Sequence, residues 1–257
     1  MGHDSSISER RFGGLARLYG TLGAQHIRDA HVAVIGIGGV GSWAVESLAR
    51  SGVGRLTLID LDHVSESNIN RQIHAVQATL GQAKVLAMRD RIHSINSACE
   101  VTCIEEFVEM ANWPALLPMG VTAVIDACDQ VKAKTAMADW ARRSPLVPFF
   151  ISVGAAGGKR QAHLVDINDL ALVTHDPLLA QVRYRLRKEH DAPREGKKIG
   201  VSCVFSREPV TPPPDVSCDI ERDATLNCHG YGSVVSLTAT FGHCAAGWIL
   251  DQISCQS

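Results

Sequence analysis

The chain has 257 residues, 46% hydrophobic and 20% charged, with a formal net charge of -2. A chain of this length buries a sizeable core without disulfide or metal staples, in one large or two small domains. Its near-neutral balance excludes a globally basic, nucleic-acid-coating surface, so any polyanion site has to be local.

Residues 1–9 are polar and uncapped and are expected to be mobile. From Arg10 to Ile27, Phe12, Leu15, Leu18, Tyr19 and Leu22 recur at a rough helical period. One or two short helices beside a sheet follow, carrying Arg10, Arg11 and Arg17, whose default role is solvated charge. The apolar run Val32–Ile35 then breaks into Gly36-Ile-Gly-Gly-Val-Gly41 and a helix over Ser42–Ser51. Glycines there permit a tight turn and close backbone approach to phosphate, and the helix start supplies unpaired N–H groups and a positive dipole end. Ser42 adds a hydroxyl at that mouth, while Val45, Leu48 and Ala49 point inward. Strand Arg55–Ile59 ends at Asp60, about 20 residues past the glycines, where a carboxylate can accept both ribose hydroxyls. Alone, this βαβ unit says only nucleotide or dinucleotide, and an NAD-dependent dehydrogenase is the commonplace reading.

The loop from Asp60 to Gln72 is dense in side-chain donors and acceptors and leaves the carboxyl end of a strand, where doubly wound sheets bind ligands. Gly81-Gln-Ala-Lys84 opens a helix buried through Val85, Met88, Ile92 and Ile95. A lysine in that first turn opposes the helix dipole and makes sense if an anion sits opposite. Strands follow at Val101–Ile104 and Val121–Ile125, the second running into Asp126-Ala-Cys-Asp129, whose carboxylates can grip a divalent cation or cap the next helix. That helix, Val131–Arg143, uses Trp140 as its apolar anchor.

Val147–Val153 is a strand leading to a floor of small residues, 154–158, and Gln161–Ile167 is a further strand. A helix from Asp176 buries Leu178, Leu179, Val182 and Leu186. In its basic tail, Arg183, Arg185, Arg187, Lys188, Lys197 and Lys198 form a candidate phosphate-backbone patch, with a solvated helix end as the alternative. After strand Val201–Phe205 comes a proline-bearing stretch over 206–226, expected to be a mobile crossover or lid, with Cys218 and Cys228 as inert thiols. The segment from Ala224 to Leu250 holds no Asp, Glu, Lys or Arg. Its Ser, Thr and Gly content argues against a membrane span, and Val234, Leu237, Phe241, Ala245 and Trp248 mark a helix in the core or a subunit contact. None of the eight cysteines forms a C-x-x-C pair, which disfavours structural zinc and suits reduced thiols of a cytoplasmic protein.

With the glycine turn, Asp60, Ser67-Asn-Ile-Asn-Arg-Gln72, Gly81-Gln-Ala-Lys84 and Asp126-Ala-Cys-Asp129 in register, the chain resembles the ubiquitin-activating-type adenylating enzymes. Arg11-Phe-Gly-Gly-Leu-Ala-Arg-Leu-Tyr-Gly20, Asn70-Arg-Gln-Ile-His-Ala75, Cys203-Val-Phe-Ser206 and Thr238-Ala-Thr-Phe-Gly242 look like the tRNA threonylcarbamoyladenosine dehydratases within that superfamily. It departs from their Asp-Pro-Thr at Gln161-Ala-His163. The resemblance implies an α/β, Rossmann-like, doubly wound and largely parallel sheet, continued by a C-terminal α/β extension. One adenylation domain would span 1–257, with a nucleotide-binding half over 1–150 and a substrate or dimerisation half over 151–257.

It also implies ATP and magnesium. Asp60 would hold ribose, Asn68, Asn70, Arg71 and Lys84 would orient the triphosphate, and Asp129 would hold magnesium. Gly36, Gly38, Gly39 and Gly41 would cradle phosphate, Gln130 would touch the nucleotide, and Arg71 and Lys84 would stabilise departing pyrophosphate. Arg17 or Arg11 would reach the ATP of a partner in a homodimer. The implied substrate is tRNA, and the implied neighbours are a cysteine desulfurase and its sulfur acceptor. The rivals are an adenylyltransferase for a ubiquitin-like sulfur carrier, which shares the first half, and a non-catalytic NAD-binding module.

Overall fold

The computed structural model describes residues 2–143, 149–194, 196–212 and 231–256. Its frame is one sheet built from β1 (His31–Ile35), β2 (Arg55–Ile59), β3 (Glu100–Ile104), β4 (Ala123–Asp126), β5 (Phe149–Val153), β6 (Val165–Asp169) and β7 (Ser202–Ser206). Across the sheet the order is β3-β2-β1-β4-β5-β7-β6. Every pairing is parallel except that of β6 with β7. The chain therefore winds outward from β1 through β2 to β3 and returns to β4 on the other side. That reversal opens a crevice beyond the carboxyl ends of β1 and β4.

Both faces of β1 are buried, which is why it reads as a continuous apolar run. Val32 and Val34 enter one core with Leu56, Leu58 and the inward side of α2 (Gly41–Arg50), while Ala33 and Ile35 enter the other with Val124 and Met137. The first core is covered by α2, by α3 (Lys84–Ile95) and by α6 (Val235–Ser254). The second is covered by α4 (Val131–Arg143) and α5 (Pro177–Glu189). On α6, Leu237, Phe241 and Ala245 are fully buried, so the described part of the uncharged segment packs one face into the core. A Cβ on Gly242 would lie 2.5 Å from the Val40 carbonyl oxygen, so only glycine lets α6 lie against the start of α2. Among the described residues, no helix is long and apolar enough to cross a membrane.

Several local expectations need correction. The first helix, α1, runs unexpectedly far, from Gly2 to Asp29, and breaks at Gly20 (φ 74°, ψ 166°). The break resets the helical phase: Phe12 before it and Ala24 and Ile27 after it are buried, whereas Leu18 and Leu22 stand in solvent. β6 starts at Val165, because the Arg160 and Gln161 N–H groups donate to the Glu208 carboxylate (2.8 and 2.7 Å) and residues 162–164 make a turn. Trp140 is half-buried, stacked edge-on against Trp113 at 5.2 Å, and α4 instead buries Ala133, Met137 and Ala138. Most of the proline-bearing stretch, with Cys218 and Cys228, lies outside the described residues.

Asp126 does not cap α4, and it does not line the crevice, where a divalent cation bound with a nucleotide would sit. It is fully buried and pairs with the fully buried Lys134 at 2.9 Å, while accepting the Ser152 hydroxyl at 2.7 Å. Lys134 also donates to the Cys128 carbonyl at 3.0 Å. Burial works against the ammonium charge, but the facing carboxylate outweighs it and holds Lys134 above the usual lysine range. The pair bolts β4, α4 and β5 together beneath the crevice. Removing one partner strands the other charge, so Lys134→Met is expected to cost about 3–5 kcal/mol, read as a lowered urea midpoint with an unchanged slope.

Candidate active site

The crevice is a cleft of about 490 Å³, within the range of small-ligand sites, walled by the segments that follow β1, β2, β3, β4 and β5. Its base is the turn after β1. Gly36 has φ 84° and its missing Cβ would lie 2.8 Å from the Ala127 carbonyl oxygen; a Cβ on Gly41 would lie 1.8 Å from the Gly36 carbonyl oxygen. Those two glycines are required by the chain itself. Gly38 and Gly39 open towards the cleft.

Asp60 ties this turn to β2. One carboxylate oxygen accepts the Ile37 N–H at 2.6 Å and the other accepts the Asp62 N–H at 2.8 Å. Burial raises its pKa despite the nearby Lys84 and both N–H donors. A carboxylate has about four acceptor sites, so two remain for ligand hydroxyls.

The polar loop after β2 folds back over the glycines. Asn68 closes a short turn by accepting the Ser65 N–H at 3.1 Å, and the Arg71 carbonyl accepts the Trp43 indole N–H at 2.9 Å. The Arg71 guanidinium donates to the Ser67 carbonyl (2.7 Å) and the Asn70 side-chain oxygen (2.9 Å). A Cβ on Gly39 would crowd the Arg71 Cγ and Cδ at 3.3 Å, so the arginine stem lies across a position kept bare. From α3 the buried Lys84 reaches the half-exposed Asp62 at 2.7 Å. Asp129 and Gln130 stand exposed on the opposite wall.

Thus Gly36, Gly38, Gly39, Asp60, Asn68, Arg71, Lys84, Asp129 and Gln130 share one cleft. Gly41 and Asn70 do not line it; Asn70 instead steadies Arg71 and donates to the Ser233 carbonyl at 3.0 Å. The Ser42 hydroxyl, expected at the mouth, is buried and without a partner among the described residues because the helix turns it inward. Arg17 is exposed on α1, away from its own chain's cleft. Arg11 is tied to the Ile95 carbonyl at 2.7 Å.

The basic patch on α5 is partly spent. Arg183 donates to the Leu170 and Val173 carbonyls and Arg187 to that of Pro193, fastening neighbouring loops. Arg185 faces Glu189, Lys188 lies over the Tyr184 ring, and Lys197 and Lys198 are exposed. Burial pushes the Cys128 and Cys203 thiols well up, with Asp126 adding to it at Cys128, so neither offers a thiolate.

Sequence reasoning missed three groups. Asp62 was visible only as part of a polar loop, Gln72 lines the cleft with its side-chain oxygen unpartnered among the described residues, and His74 is buried near Lys84. Nothing local marks the last two, since their burial depends on how the loop folds back.

The sequence matches the ThiF family over residues 12–254. A tRNA threonylcarbamoyladenosine dehydratase of Haemophilus influenzae is 41% identical over 247 residues, covering 95% of this chain and 94% of that one. The chain belongs to the ThiF family, in its tRNA threonylcarbamoyladenosine dehydratase branch. Two crystal structures of the Escherichia coli tRNA N6-threonylcarbamoyladenosine dehydratase match this ThiF-family protein closely. The complex with AMP does so at a TM-score of 0.88 and 40% identity, over 98% of this chain and 97% of that one. The complex with ATP does so at 0.86 and 39%, over 97% and 96%.

His74 carries a pH signature. Burial, reinforced by Lys84 and Arg91, pushes it down to about 4 from the ordinary 6.5, so the native imidazole stays neutral. As pH falls from 6.5 to 4 the unfolded chain takes up a proton that the ThiF-family fold refuses. Stability should drop over that window by roughly 3 kcal/mol, and His74→Leu should flatten the drop in urea titrations at each pH.

Proposed function

We propose that the chain is an ATP-dependent dehydratase that cyclises threonylcarbamoyladenosine beside the tRNA anticodon. The observation that carries this reading is the pairing of Arg71 and Lys84, from separate elements, over a bare glycine turn that Asp60 anchors. Full-length similarity to a dehydratase crystallised with ATP supports it, and favours it over a sulfur-carrier adenylyltransferase.

A free carboxylate is a poor acyl electrophile because its leaving group is oxide. In the first step a threonyl carboxylate oxygen attacks the α-phosphorus of ATP and pyrophosphate departs. In the second, the neighbouring carbamoyl group attacks the acyl carbon and AMP departs with that oxygen, so one water is removed overall. Asp60 accepts the ribose hydroxyls, and Asn68 and Gln130 flank the nucleotide. Lys84 exchanges its half-exposed partner Asp62 for phosphate, and with Arg71 it takes up charge moving onto pyrophosphate. Asn70 acts through Arg71 rather than on the nucleotide. Ring closure is intramolecular, with effective molarities of about 10⁵ M or more, so no thiol has to carry the acyl group.

Asp129 is one of four carboxylates lining the cleft, with Asp60, Asp62 and Glu106, and among the described residues no three His, Cys, Asp or Glu gather as a metal cage. That donor set fits magnesium, which keeps waters and phosphate oxygens as its other ligands and supplies charge neutralisation when bound. In a homodimer, Arg17 serves the partner's cleft.

Nucleosides from threonylcarbamoylated tRNA incubated with the protein and ATP should lose the mass of one water. Arg71→Ala and Lys84→Ala should each slow this about 10²- to 10³-fold. Pyrophosphate release prompted by a small protein ending in Gly-Gly, with none prompted by tRNA, would overturn the reading.

A further inference from the structure

A second concavity, about 460 Å³, lies at the far ends of α2 and α3 and is lined by Arg11, Phe12, Arg50, Arg91, Ser94 and Ile95. Glu46, nearly fully buried on α2, organises it. One of its oxygens accepts Arg50 Nε (2.7 Å) and Arg91 Nη2 (3.0 Å), and the other accepts Arg91 Nε (2.7 Å). Burial opposes the Glu46 charge, yet the two guanidiniums hold its carboxyl below the usual range. One carboxylate against three guanidiniums leaves the concavity with an excess of two positive charges.

The donors are only partly used. Among the described residues, Arg50 commits its Nε alone, Arg91 its Nε and Nη2, and Arg11 its Nη1 to the Ile95 carbonyl. All three guanidiniums line the same hollow with N–H groups to spare, an arrangement suited to a tetrahedral oxyanion. A purely structural tie between α2 and α3 needs one arginine on Glu46, and the second, 60% exposed, adds little as a surface ion pair.

We propose that this arginine bowl binds a backbone phosphate of the RNA substrate, an inference that rests on the tRNA reading above. Arg91 and Lys84 share α3, seven residues and about 10 Å apart along the helix axis. A strand whose modified nucleotide enters the cleft can thus run along α3 and place a phosphate in the bowl. The α5 patch is less suited to this, because Arg183 and Arg187 already hold main-chain carbonyls.

The test is binding of a full-length tRNA to the intact protein across a salt series. Arg50→Gln and Arg11→Gln keep the Glu46–Arg91 pair, and Lys132→Gln removes one charge from the exposed face of α4 as a control. Each bowl variant should weaken tRNA binding about three- to tenfold and make the slope of log K against log salt shallower by about 1. In Arg50→Gln, ATP affinity and the melting temperature should stay at wild-type values, and Lys132→Gln should change neither slope nor affinity. Wild-type affinity and slope in both bowl variants would overturn the proposal, as would an equal loss in Lys132→Gln. If the wild-type protein bound no tRNA, the dehydratase reading itself would fall, a result distinct from either.

Discussion

The Ile37 N–H donates to the Asp60 carboxylate across 2.6 Å, and the nucleotide cleft depends on that contact. It fastens the glycine turn after β1 to the carboxyl end of β2, so the two walls of the crevice move as one. The other Asp60 oxygen fixes the start of the loop that carries Asp62, Asn68 and Arg71. Burial works against the Asp60 charge, and Lys84 followed by these two donors offsets part of that cost. Losing this carboxylate would orphan two main-chain N–H groups and release both walls.

Three acid–base groupings follow the sheet from beneath the cleft to the far end of the helices, and their exposure sorts their work. Asp126 and Lys134 are wholly desolvated and joined to each other, so they hold the frame and are not available to a ligand. Lys84 and Asp62 meet at the rim, where the acid is half in water. Because only the lysine of this pair is desolvated, a phosphate in the cleft can compete with the half-exposed Asp62 for it. Glu46 with Arg50 and Arg91 is intermediate: a buried acid aims guanidiniums whose remaining donors face outward.

Much of this was legible in the chain. The strand over Arg55–Ile59 and the helix over Val131–Arg143 match the expected bounds, and the inward faces of α2 and α3 follow from their apolar spacing. Local signals suffice there because a period or a glycine marks each boundary. What escaped depends on partners distant in sequence. Nothing around Lys134 or Glu46 announces a buried charge, since each is set by a residue on another element or by neighbouring helices. The late start of β6 comes from Glu208, which takes two N–H groups that a strand would otherwise use. The α5 basic run looked like a phosphate patch because sequence cannot show that two of its arginines have main-chain carbonyls to hold. Which arginine belongs to the cleft and which to the bowl is likewise a matter of packing.

The central claim is chemical: the cleft forms an acyl adenylate and does not move hydride. The most direct measurement uses tRNA whose threonyl carboxylate carries heavy oxygen, turned over with ATP, followed by mass analysis of the nucleotide products. Attack of that carboxylate on the α-phosphorus requires one heavy oxygen to leave with AMP and none to appear in pyrophosphate. Heavy oxygen in inorganic phosphate, or cyclised product with unlabelled AMP, would contradict the account.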